Sequence, residues 1–596
     1  MNQMEPDNTP PNNILRFFEA KAKDNNPILI IERNGNPTYL FSKYNPVKEG
    51  ERQAENISIK EDHIVIIGGG SPYFLKEVLN KIDKGKRVFY IEPYPELLSF
   101  AVKNLNMDEY INHFDFFTMI IPQKNDFEQK IQEGIDIVKL DKIDYIIHPI
   151  INNLLKTEID TILEKINNTA LQLVYDFVTR MKDGRRVQKN ILNNLEIITK
   201  SPPINRLRNL FSDVPAIIVS AGPSLDKNIL YLKDMEKRGI IISTDTALKP
   251  LLSLNIEPHF VVAGDPSYFN YLHLKNIKTK KTYLITEPSV DSRVFDEFKD
   301  KVFLTIFDKP LLELLENFIG EISHLNTWGT VASLALEVAH FMGASPILFI
   351  GQDLSFPYNL KYTRETIYDN DWIYKRNNQT YISAKRHSII NTKENKTVRD
   401  IFGRYILTNY KLEKYKEYIS SILKKDEKYI NITEGGFFDS IYNSQSWFEV
   451  LKLKASKREF FKEIGKIHSN SITKDKWKKI KRFLKIYIKN FKNILLNIEE
   501  NLKLLKKDNL SIDDLSKGYN YIYSNPETAE IIENYTQEPI YQFLKDQNKY
   551  KKDGNFNNFK TSYITYYTKM LSLIKEIIDD FNSSLYNIKI KKEGKK

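Results

Sequence analysis

The chain has 596 residues, 41% of them hydrophobic, and carries a formal net charge of +11 at pH 7. Its length predicts about three or four domains, and its apolar content is that of a protein with buried cores. It has no cysteine, which excludes disulfides, thiolate metal sites and cysteine nucleophiles. Without a long apolar run or a signal-like start, the sequence predicts no membrane span, no secretory signal and a cytoplasmic location.

The positive charge has two interpretations. A basic stripe or patch would indicate a nucleic-acid partner, but here lysines alternate with acidic residues along the whole chain. Lysine, asparagine and isoleucine are abundant throughout the chain, so the positive charge is a general property of its composition and not of one surface. We therefore expect no nucleic-acid partner, although a mildly basic protein also suits an acidic ligand such as a sugar nucleotide.

The N-terminal part predicts a Rossmann-like domain. Residues 1–60 are predicted to be a leader with short strands, one of them at 38–41. Residues 61–203 then alternate strands, at 64–67 and 87–91, with helices, and DKIDYIIHP supplies another strand. This order is typical of a parallel, doubly wound sheet.

A glycine turn follows the first of these strands. The turn is Gly68-Gly69-Gly70, and Glu92 follows the next strand. A glycine turn and an acid in these positions resemble a dinucleotide-type or methyltransferase-type unit, in which the acid binds a ribose hydroxyl. The spacing is not GxGxxG, so a purely structural role for the turn stays open.

The central segment, 204–445, predicts a second sheet with a ligand site at one edge. Its five predicted strands are at 217–219, 240–242, 259–262, 283–285 and 347–350. Each strand runs into glycine, serine, threonine, aspartate or glutamate within a few residues. The ligand crevice of an open α/β sheet lies at the carboxyl ends of its strands. We therefore expect these polar residues to converge on one site.

Gly222-Pro223-Ser224 follows the first of these strands. Glycine allows close backbone approach, proline is tolerated in the first turn of a helix, and serine adds a hydroxyl beside free amides, a combination that suits phosphate. The Walker A pattern is absent. An ordinary helix cap remains an equal alternative.

Asp245, Asp265 and Asp353 each follow a strand. They can contact a ligand, hold a ribose hydroxyl, bind Mg²⁺ or cap the next helix. No Asp-x-Asp pair accompanies Asp245 or Asp265, so a metal–diphosphate clamp is not expected. The histidines show no zinc pattern. His340 is predicted to pack inside a helix, and His387, in a loop, is the candidate general base.

Residues 446–596 predict a helical bundle. Apolar residues recur every three or four positions in two stretches. They are Phe491, Ile494, Leu495, Ile498, Leu502 and Leu505, then Tyr567, Leu571, Ile574, Ile578 and Phe581. These stripes are expected to pack on one another, with a protein-docking surface as the alternative. The predicted fold class is therefore α/β, with two Rossmann-like doubly wound domains followed by a C-terminal α-helical bundle.

Four stretches of the central segment carry a family resemblance. They are VPAIIVSAGPSLDKNI, STDTALKPLLSLNIEPHFVVAGD, GTVASLALEVAHFMGASPILFIGQDLSF and ITEGGFFDSI, in that order. They resemble the motility-associated factor (Maf) flagellin glycosyltransferases, the group with the domain of unknown function 115 that is related to archaeal 6-hydroxymethylpterin pyrophosphokinase. SKYNPVKEGERQ and IEPYPELL are similar to the N-terminal domain of that family.

The resemblance implies transfer of a nonulosonic acid, of the pseudaminic or legionaminic type, from a CMP-sugar to serine or threonine of flagellin. It also implies a sialyltransferase-like central domain for the nucleotide-sugar. The residues implied to contact the donor are Gly222, Pro223, Ser224, Ser243, Asp245, Thr246, Asp265, Thr330, Gly351, Gln352, Asp353, Tyr358, Tyr362, Glu434, Gly435 and Gly436. His387 would be the base, with Asp353 as a second catalytic candidate.

This chemistry needs hydrogen-bond donors for a leaving phosphate and one base for the acceptor hydroxyl. The resemblance therefore implies no required cofactor beyond the CMP-sugar donor, although Mg²⁺ is possible. It makes no prediction of the oligomeric state. Two alternatives stay open: an ATP-dependent pyrophosphokinase like the pterin enzyme, and a non-enzymatic factor that binds flagellin.

Overall fold

The computed structural model describes residues 15–593 apart from short internal gaps. The gaps are 123, 125, 308, 321–323, 326–328, 369–372, 377–378, 383–394, 424–428, 439–449, 452–456, 470–474 and 508–509. By its backbone contacts the chain divides into two compact units. One comprises Met1–Arg180 with Tyr541–Ser562, and the other comprises Met181–Ile540 with Tyr563–Lys596. The four domains read from the sequence stay a prediction.

The first unit contains two sheets. Its strands are β1 (Leu15–Lys21), β2 (Pro27–Arg33), β3 (Asn36–Tyr39), β4 (His63–Ile67), β5 (Arg87–Ile91), β6 (Phe116–Ile120) and β7 (Ile143–Ile147). Its helices are α1 (Pro46–Ala54), α2 (Pro72–Asn80), α3 (Pro95–Asn104), α4 (Asp108–Ile111), α5 (Phe127–Gly134), α6 (Pro149–Leu154) and the start of α7 (Lys156–Asn193). β1 to β3 form an antiparallel sheet.

The remaining strands form a parallel sheet in the order β6-β5-β4-β7. β4 is wholly buried because its apolar residues face packed layers on both sides, which suits a strand at the centre of a parallel sheet. The glycine turn then leads to Ser71, whose hydroxyl accepts a hydrogen bond from the amide of Phe74 and caps α2. Pro72 occupies the first turn of that helix.

The second unit contains the larger sheet. Its strands are β8 (Ala216–Val219), β9 (Ile240–Thr244), β10 (Phe260–Ala263), β11 (Tyr283–Thr286), β12 (Val302–Leu304), β13 (Ile347–Ile350), β14 (Ile373–Arg376), β15 (Gln379–Ile382), β16 (Asn395–Arg399), β17 (Tyr405–Asn409) and β18 (Tyr429–Asn431). Seven of them form a parallel sheet in the order β12-β11-β10-β9-β8-β13-β18. β14–β15 and β16–β17 are antiparallel pairs.

Helices flank this sheet and follow it. They are α8 (Leu195–Lys200), α9 (Leu225–Asn228), α10 (Asp245–Ser253), α11 (Tyr268–Leu274), α12 (Arg293–Phe298), α13 (Pro310–Ile319), α14 (Val331–Phe341), α15 (Tyr410–Ser421), α16 (Phe460–Ser469), α17 (Lys476–Leu504), α18 (Ile512–Ile522), α19 (Pro526–Asp553) and α20 (Phe556–Glu593). Residues on both faces of the sheet are buried, in two separate apolar clusters. The predicted fold class is confirmed: two parallel, Rossmann-like sheets and a C-terminal helical region.

The C-terminal stripes bury their apolar sides within the second unit. Phe491, Ile494 and Ile498 are buried along α17. In α20, the hydroxyl of Tyr567 donates to the carbonyl of Leu515 and accepts from the amide of Tyr519. These contacts join helices to helices, as the packing interpretation predicts. None of the described helices is long and apolar enough to cross a membrane.

Two predicted strands shift at their ends. The strand expected at 259–262 is β10, one residue later, because His259 lies just before it and its side chain accepts a hydrogen bond from the amide of Ile241. The strand expected at 38–41 is β3, two residues earlier, where it pairs with β2. In both cases pairing with another strand sets where the strand begins, and local propensity does not encode that pairing.

Candidate functional site

A cavity of about 350 Å³ opens at the carboxyl ends of β8 and β13. These neighbouring strands mark the switch point of the large sheet, because β9 to β12 extend from one side of β8 and β13 and β18 from the other. Ligands bind at such switch points in open α/β sheets. The lining residues are Ser220, Ala221, Gly222, Thr244, Asp245, Thr246, Thr330, Val331, Ala332, Gly351, Gln352, Asp353, Leu354, Ser355, Phe356, Lys361, Tyr362, Asn409, Lys411, Leu412 and Tyr415.

Eight of the residues implied by the family resemblance line this cavity. They are Gly222, Asp245, Thr246, Thr330, Gly351, Gln352, Asp353 and Tyr362. They come from five separate parts of the chain, and the sheet order brings them together. The expected convergence of polar strand ends is therefore observed, while ligand contact by each residue stays a prediction.

Asp353 lies at the floor of the cavity and is 2% exposed. Its Oδ2 accepts hydrogen bonds from the amide of Ser224, at 3.0 Å, and from the Ser224 hydroxyl, at 2.9 Å. Burial raises the pKa of Asp353 to about 6, while the two bonds from Ser224 oppose that rise. Its Oδ1 is buried without a hydrogen-bond partner among the described residues.

The Ser224 arrangement changes the predicted role of Gly222-Pro223-Ser224. The amide of Gly222 donates to the carbonyl of Gly351, and Ser224 is fully buried with both its donors on Asp353. The helix that follows, α9, has only four residues. In this structure these amides hold the end of β13 in place. Of the three residues, only Gly222 reaches the cavity.

Two glycines permit the close packing around Asp353. A Cβ on Gly222 would lie 2.0 Å from Oδ2 of Asp353, and one on Gly436 would lie 2.3 Å from its carbonyl oxygen. Gly436 also has a φ of +86°, in the left-handed region. The glycines of the GPS and TEGG segments thus both allow the chain to approach Asp353 closely, Gly222 at its side chain and Gly436 at its backbone.

Asp245 begins α10 on the cavity wall. Its Oδ1 accepts from the amide and hydroxyl of Thr246, and its Oδ2 accepts from the amide group of Asn270 at 2.8 Å. Burial raises the pKa of Asp245, and the nearby imidazole of His273 opposes that rise. Burial lowers the pKa of His273. The sequence pattern gave no reason to select His273, which packs on Tyr368 beside the cavity-lining Tyr362.

Gln352 and Thr330 complete the polar wall. Oε1 of Gln352 accepts from the hydroxyl of Ser220 at 2.5 Å, which links the ends of β13 and β8. The hydroxyl of Thr330 accepts from the amide of Ser333 and so caps α14. The first turns of α10, α14 and α15 all supply lining residues, so three helix N-termini meet at the cavity.

The loop at 360–364 supplies two residues of the cavity lining and is anchored to the 221–226 segment. The amide of Thr363 donates to the carbonyl of Ala221 at 2.9 Å. The Thr363 hydroxyl and the amide of Arg364 both donate to Oδ1 of Asp226. This anchorage holds Lys361 and Tyr362 against the cavity.

Lys361 and Lys411 line the cavity and were not predicted as site residues. Burial, followed by the charge of Lys411, lowers the pKa of Lys361. The sequence offers 88 lysines and arginines without a distinguishing motif around these two. Only the capping asparagine, Asn409, signals that a helix begins beside Lys411.

The two predicted tyrosines differ in position. Tyr362 lines the cavity and stacks on Tyr368 with ring centroids 4.9 Å apart. Tyr358 is 58% exposed, does not line the cavity and has a φ of 56°. Hydrogen bonding from Lys227, and then from Arg404, lowers the pKa of Tyr358. Of the two tyrosines implied to contact the donor, the structure therefore places only Tyr362 at the cavity.

Several predicted contact residues lie away from the cavity. Ser243 is fully buried and its hydroxyl donates to the carbonyl of Thr244. Asp265 is exposed in a turn, where it accepts from the amide of Ser267. The residues that do not line the cavity are Pro223, Ser224, Ser243, Asp265, Tyr358, Glu434, Gly435 and Gly436. His387, the predicted base, lies outside the described residues.

The glycine turn of the first unit also lies at a switch point, between β4 and β7. The amide of Gly70 is already used, because it donates to Oε1 of Glu92 at 2.8 Å. A Cβ on Gly69 would lie 2.3 Å from the side chain of Ile151. The turn is therefore filled by the protein itself, which favours the structural role left open by the sequence.

His340 packs as predicted. It is 8% exposed in α14, and its Nε2 lies 3.0 Å from the hydroxyl of Tyr429. His259 is likewise buried, and burial lowers its pKa to about 3. Within the described part of the chain, no group of three or more histidines and carboxylates is placed to hold a metal ion.

Comparisons with known proteins agree with this architecture. Residues 189–359 match the family described as 6-hydroxymethylpterin diphosphokinase MptE-like. A Maf glycosyltransferase from Magnetospirillum magneticum AMB-1 has a similar fold, with a TM-score of 0.60 and 13% sequence identity. The similarity covers 97% of this chain and 95% of that one.

Two proteins of Treponema pallidum (strain Nichols), both described only as uncharacterized, match a shorter stretch. One is 31% identical over 120 residues and the other 28% identical over 110 residues, each covering 18% of this chain. The matches span 30% and 51% of those proteins. The resemblance seen in the sequence motifs is thus supported: residues 189–359 match the MptE-like family, and the chain shares the fold of a Maf glycosyltransferase.

Proposed function

We propose that the chain is a glycosyltransferase that moves a nonulosonic acid from a CMP-sugar to a serine or threonine of flagellin. The observation that carries the proposal is the cavity at the switch point of the large sheet. It combines helix N-termini, hydroxyls and buried carboxylates in one place. These groups suit a ligand with both hydroxyls and an anionic bridge.

The reaction replaces one bond to the anomeric carbon of the sugar by another. The bond between the anomeric carbon and the phosphate oxygen breaks, and its electron pair leaves on CMP. The acceptor oxygen forms the new bond to that carbon and loses its proton to a base. Groups that stabilise charge on the departing phosphate are expected to contribute most to the rate.

Two features of the cavity support this use. The side chains of Asp245 and Gln352 are fixed by hydrogen bonds from Asn270 and Ser220, so their positions are set before a ligand binds. Burial raises the pKa of Asp353 to about 6, close to the range in which a carboxyl group exchanges protons at neutral pH. We propose that Asp353 positions the groups around it at the cavity, and that a residue near the acceptor hydroxyl acts as the general base.

The test is a transfer reaction with purified protein, flagellin and CMP-pseudaminic or CMP-legionaminic acid, followed by intact mass. We expect flagellin to gain the mass of one or more sugars. Ala332→Phe, which places a ring in the cavity, should abolish the gain. Leu230→Phe, at an exposed position outside it, should leave the gain unchanged. No gain with either sugar would refute the proposal.

The MptE-like match favours one alternative, transfer of a diphosphate from ATP to a hydroxymethylpterin. The same preparation, incubated with ATP, Mg²⁺ and 6-hydroxymethylpterin, distinguishes the two. Formation of AMP and the pterin diphosphate, without any change in flagellin mass, would replace the first proposal by the second.

A further inference from the structure

Lys361 and Lys411 stand out because two like charges share one cavity. Both line it, and the charge of Lys411 acts directly on Lys361. Among the described residues, neither ammonium group lies within ion-pairing distance of a carboxylate. Lys361 is partly buried, and placing a partly buried cation beside another costs free energy unless an anion offsets it.

The local surroundings of the two lysines are aromatic. The Nζ of Lys361 lies 5.3 Å from the ring centroid of Tyr362 and 5.9 Å from that of Tyr368. The Nζ of Lys411 lies 5.5 Å from the ring centroid of Tyr415. The ammonium groups thus lie near aromatic rings, and each carries three hydrogen-bond donors that it can offer to a ligand.

Lys411 also occupies an unfavourable position in its own helix. It lies in the first turn of α15, a helix of 12 residues that is capped by Asn409. The positive end of a helix dipole disfavours a cation there. An anion bound beside Lys411 would be attracted by both the ammonium group and the helix N-terminus, which converts the unfavourable contact into a favourable one.

We propose that Lys361, Lys411 and the N-terminus of α15 form the anion-binding end of the cavity, and that they hold the phosphate and carboxylate of the donor. The inference rests on the proposed function for the identity of that donor. A CMP-nonulosonate carries one phosphodiester and one carboxylate, so its two negative charges match the two ammonium groups. A neutral sugar joined to a single phosphate would leave one lysine uncompensated.

This assignment places the donor phosphate away from Ser224. The Ser224 donors are bound to Asp353, whereas the two lysines have donors available in the cavity. The loop that carries Lys361 is in turn held by Asp226, next to the GPS turn. That turn therefore contributes to anion binding through the loop it anchors.

The experiment measures calorimetric affinity for CMP, for cytidine, which lacks the phosphate, and for inorganic pyrophosphate and ATP. The full-length wild type is compared with Lys361→Met, Lys411→Met and Lys361→Arg. Lys414→Met serves as the control, because Lys414 lies on the same helix, pairs with Glu417 and does not line the cavity.

We expect each methionine variant at positions 361 and 411 to bind CMP roughly 10- to 100-fold more weakly, the loss of one charge-assisted hydrogen bond. Cytidine affinity should not change, and Lys361→Arg and Lys414→Met should bind CMP within a few-fold of the wild type. Thermal unfolding of each variant identifies any that fails to fold, and Lys361→Arg then reports on the charge alone.

The outcomes separate the two proposals. If the affinity for CMP is unchanged in both lysine variants, or if the affinities for CMP and cytidine fall equally, the anion site is overturned, but the proposed function is not. Lysine-dependent binding of ATP or pyrophosphate without CMP binding supports the anion site and refutes the CMP-sugar proposal. A wild type that binds none of the four probes overturns the anion site.

Discussion

The carboxylate of Asp353 is held by both donors of Ser224, across 129 residues of sequence. This pair joins the turn after β8 to the turn after β13, at the switch point of the large sheet. The buried carboxylate thereby connects the two strand ends that frame the cavity. Its surroundings lead to two predictions about stability and one about ligand affinity, and a further stability prediction concerns Glu92 in the first unit.

Ser224→Ala should lower the free energy of unfolding by about 1–3 kcal/mol, because it removes one donor from a buried carboxylate. The pKa of Asp353 is already raised from 3.8 to about 6, and the variant should raise it further. A raised pKa in the folded state gives stability that is lost as pH rises through that pKa. The difference from wild type should therefore be larger at pH 8 than at pH 5 in urea unfolding.

Ser212→Ala is the matched control for this change, because Ser212 is exposed and its hydroxyl donates only to the carbonyl of Asn209. We expect its urea midpoint to stay within error of the wild type at both pH values. An unfolding free energy for Ser224→Ala that equals that of the wild type at pH 8 would show that the pair does not stabilise the fold.

Gly222→Ala should be among the most harmful small substitutions in the second unit. The added methyl group would lie 2.0 Å from Oδ2 of Asp353 and 2.4 Å from the carbonyl oxygen of Gly351. Relief requires the two strand ends to separate, and overpacking of this kind costs about 1–3 kcal/mol or more. Differential scanning calorimetry should show a lower unfolding temperature.

Gly264→Ala provides the comparison at the end of β10, two strands from β8 in the same sheet. There the nearest atom to the added methyl group is in the ring of Phe307, at 3.3 Å, and that ring can shift. We expect a clearly smaller loss of thermal stability than for Gly222→Ala. Equal losses would mean that close approach to Asp353 is not what requires glycine at position 222.

Glu92 should make the first unit less stable as pH rises. Burial raises the pKa of Glu92 from 4.5 to about 7, so the folded state retains the proton more strongly than the unfolded state. The stability this provides is fully present below pH 4.5 and is lost as pH rises through about 7. Between pH 5 and pH 8 the wild type should lose about 2–3 kcal/mol that Glu92→Gln keeps.

The measurement is urea unfolding of both proteins across that pH range, with Glu96→Gln as the control. Glu96 lies in the first turn of the helix that follows, where it is exposed to solvent. Parallel pH profiles for the wild type and Glu92→Gln would contradict a raised pKa for Glu92.

Asp226→Ala should weaken CMP binding several-fold without touching the cavity. Asp226 accepts from the Thr363 hydroxyl and the Arg364 amide, which hold the loop carrying Lys361. Arg364→Met removes only an exposed ion pair with Asp226, 3.5 Å long, and such pairs contribute little. Calorimetry with CMP should show a loss for the first variant alone, and equal losses for the two variants would contradict anchorage of the loop by the hydrogen bonds to Asp226.

Much of the fold was predictable because the buried strands of a parallel sheet are short apolar runs that can be recognised in the sequence. The strand at 87–91 was predicted at its observed bounds, β5, since a short apolar run with β-forming residues is bounded by polar ones. The gathering of Asp245 and Asp353 at one cavity also followed from a general property of such sheets.

The parts that were not predicted depend on pairing across long distances. Nothing local to Ser224 indicates that its amide donates to a carboxylate 129 residues away. Lys411 belongs to a helix that follows the β16–β17 pair, so its place in the cavity arises only when the whole unit folds. Residues such as Asp353 follow a strand directly, and this position can be recognised in the sequence. Lys411 lies at the start of a helix on another part of the cavity wall, and no sequence pattern marks it as a cavity residue.

Because the glycine turn of the first unit is filled, it affects how many CMP-sugar molecules one chain can bind. The two parallel sheets each have a switch point, but Glu92 and Ile151 occupy the first, whereas the second opens into the cavity. Titration with CMP should therefore saturate at one equivalent per chain. A molecule shaped to the open switch point would compete with CMP there, so its inhibition would follow a simple one-site curve.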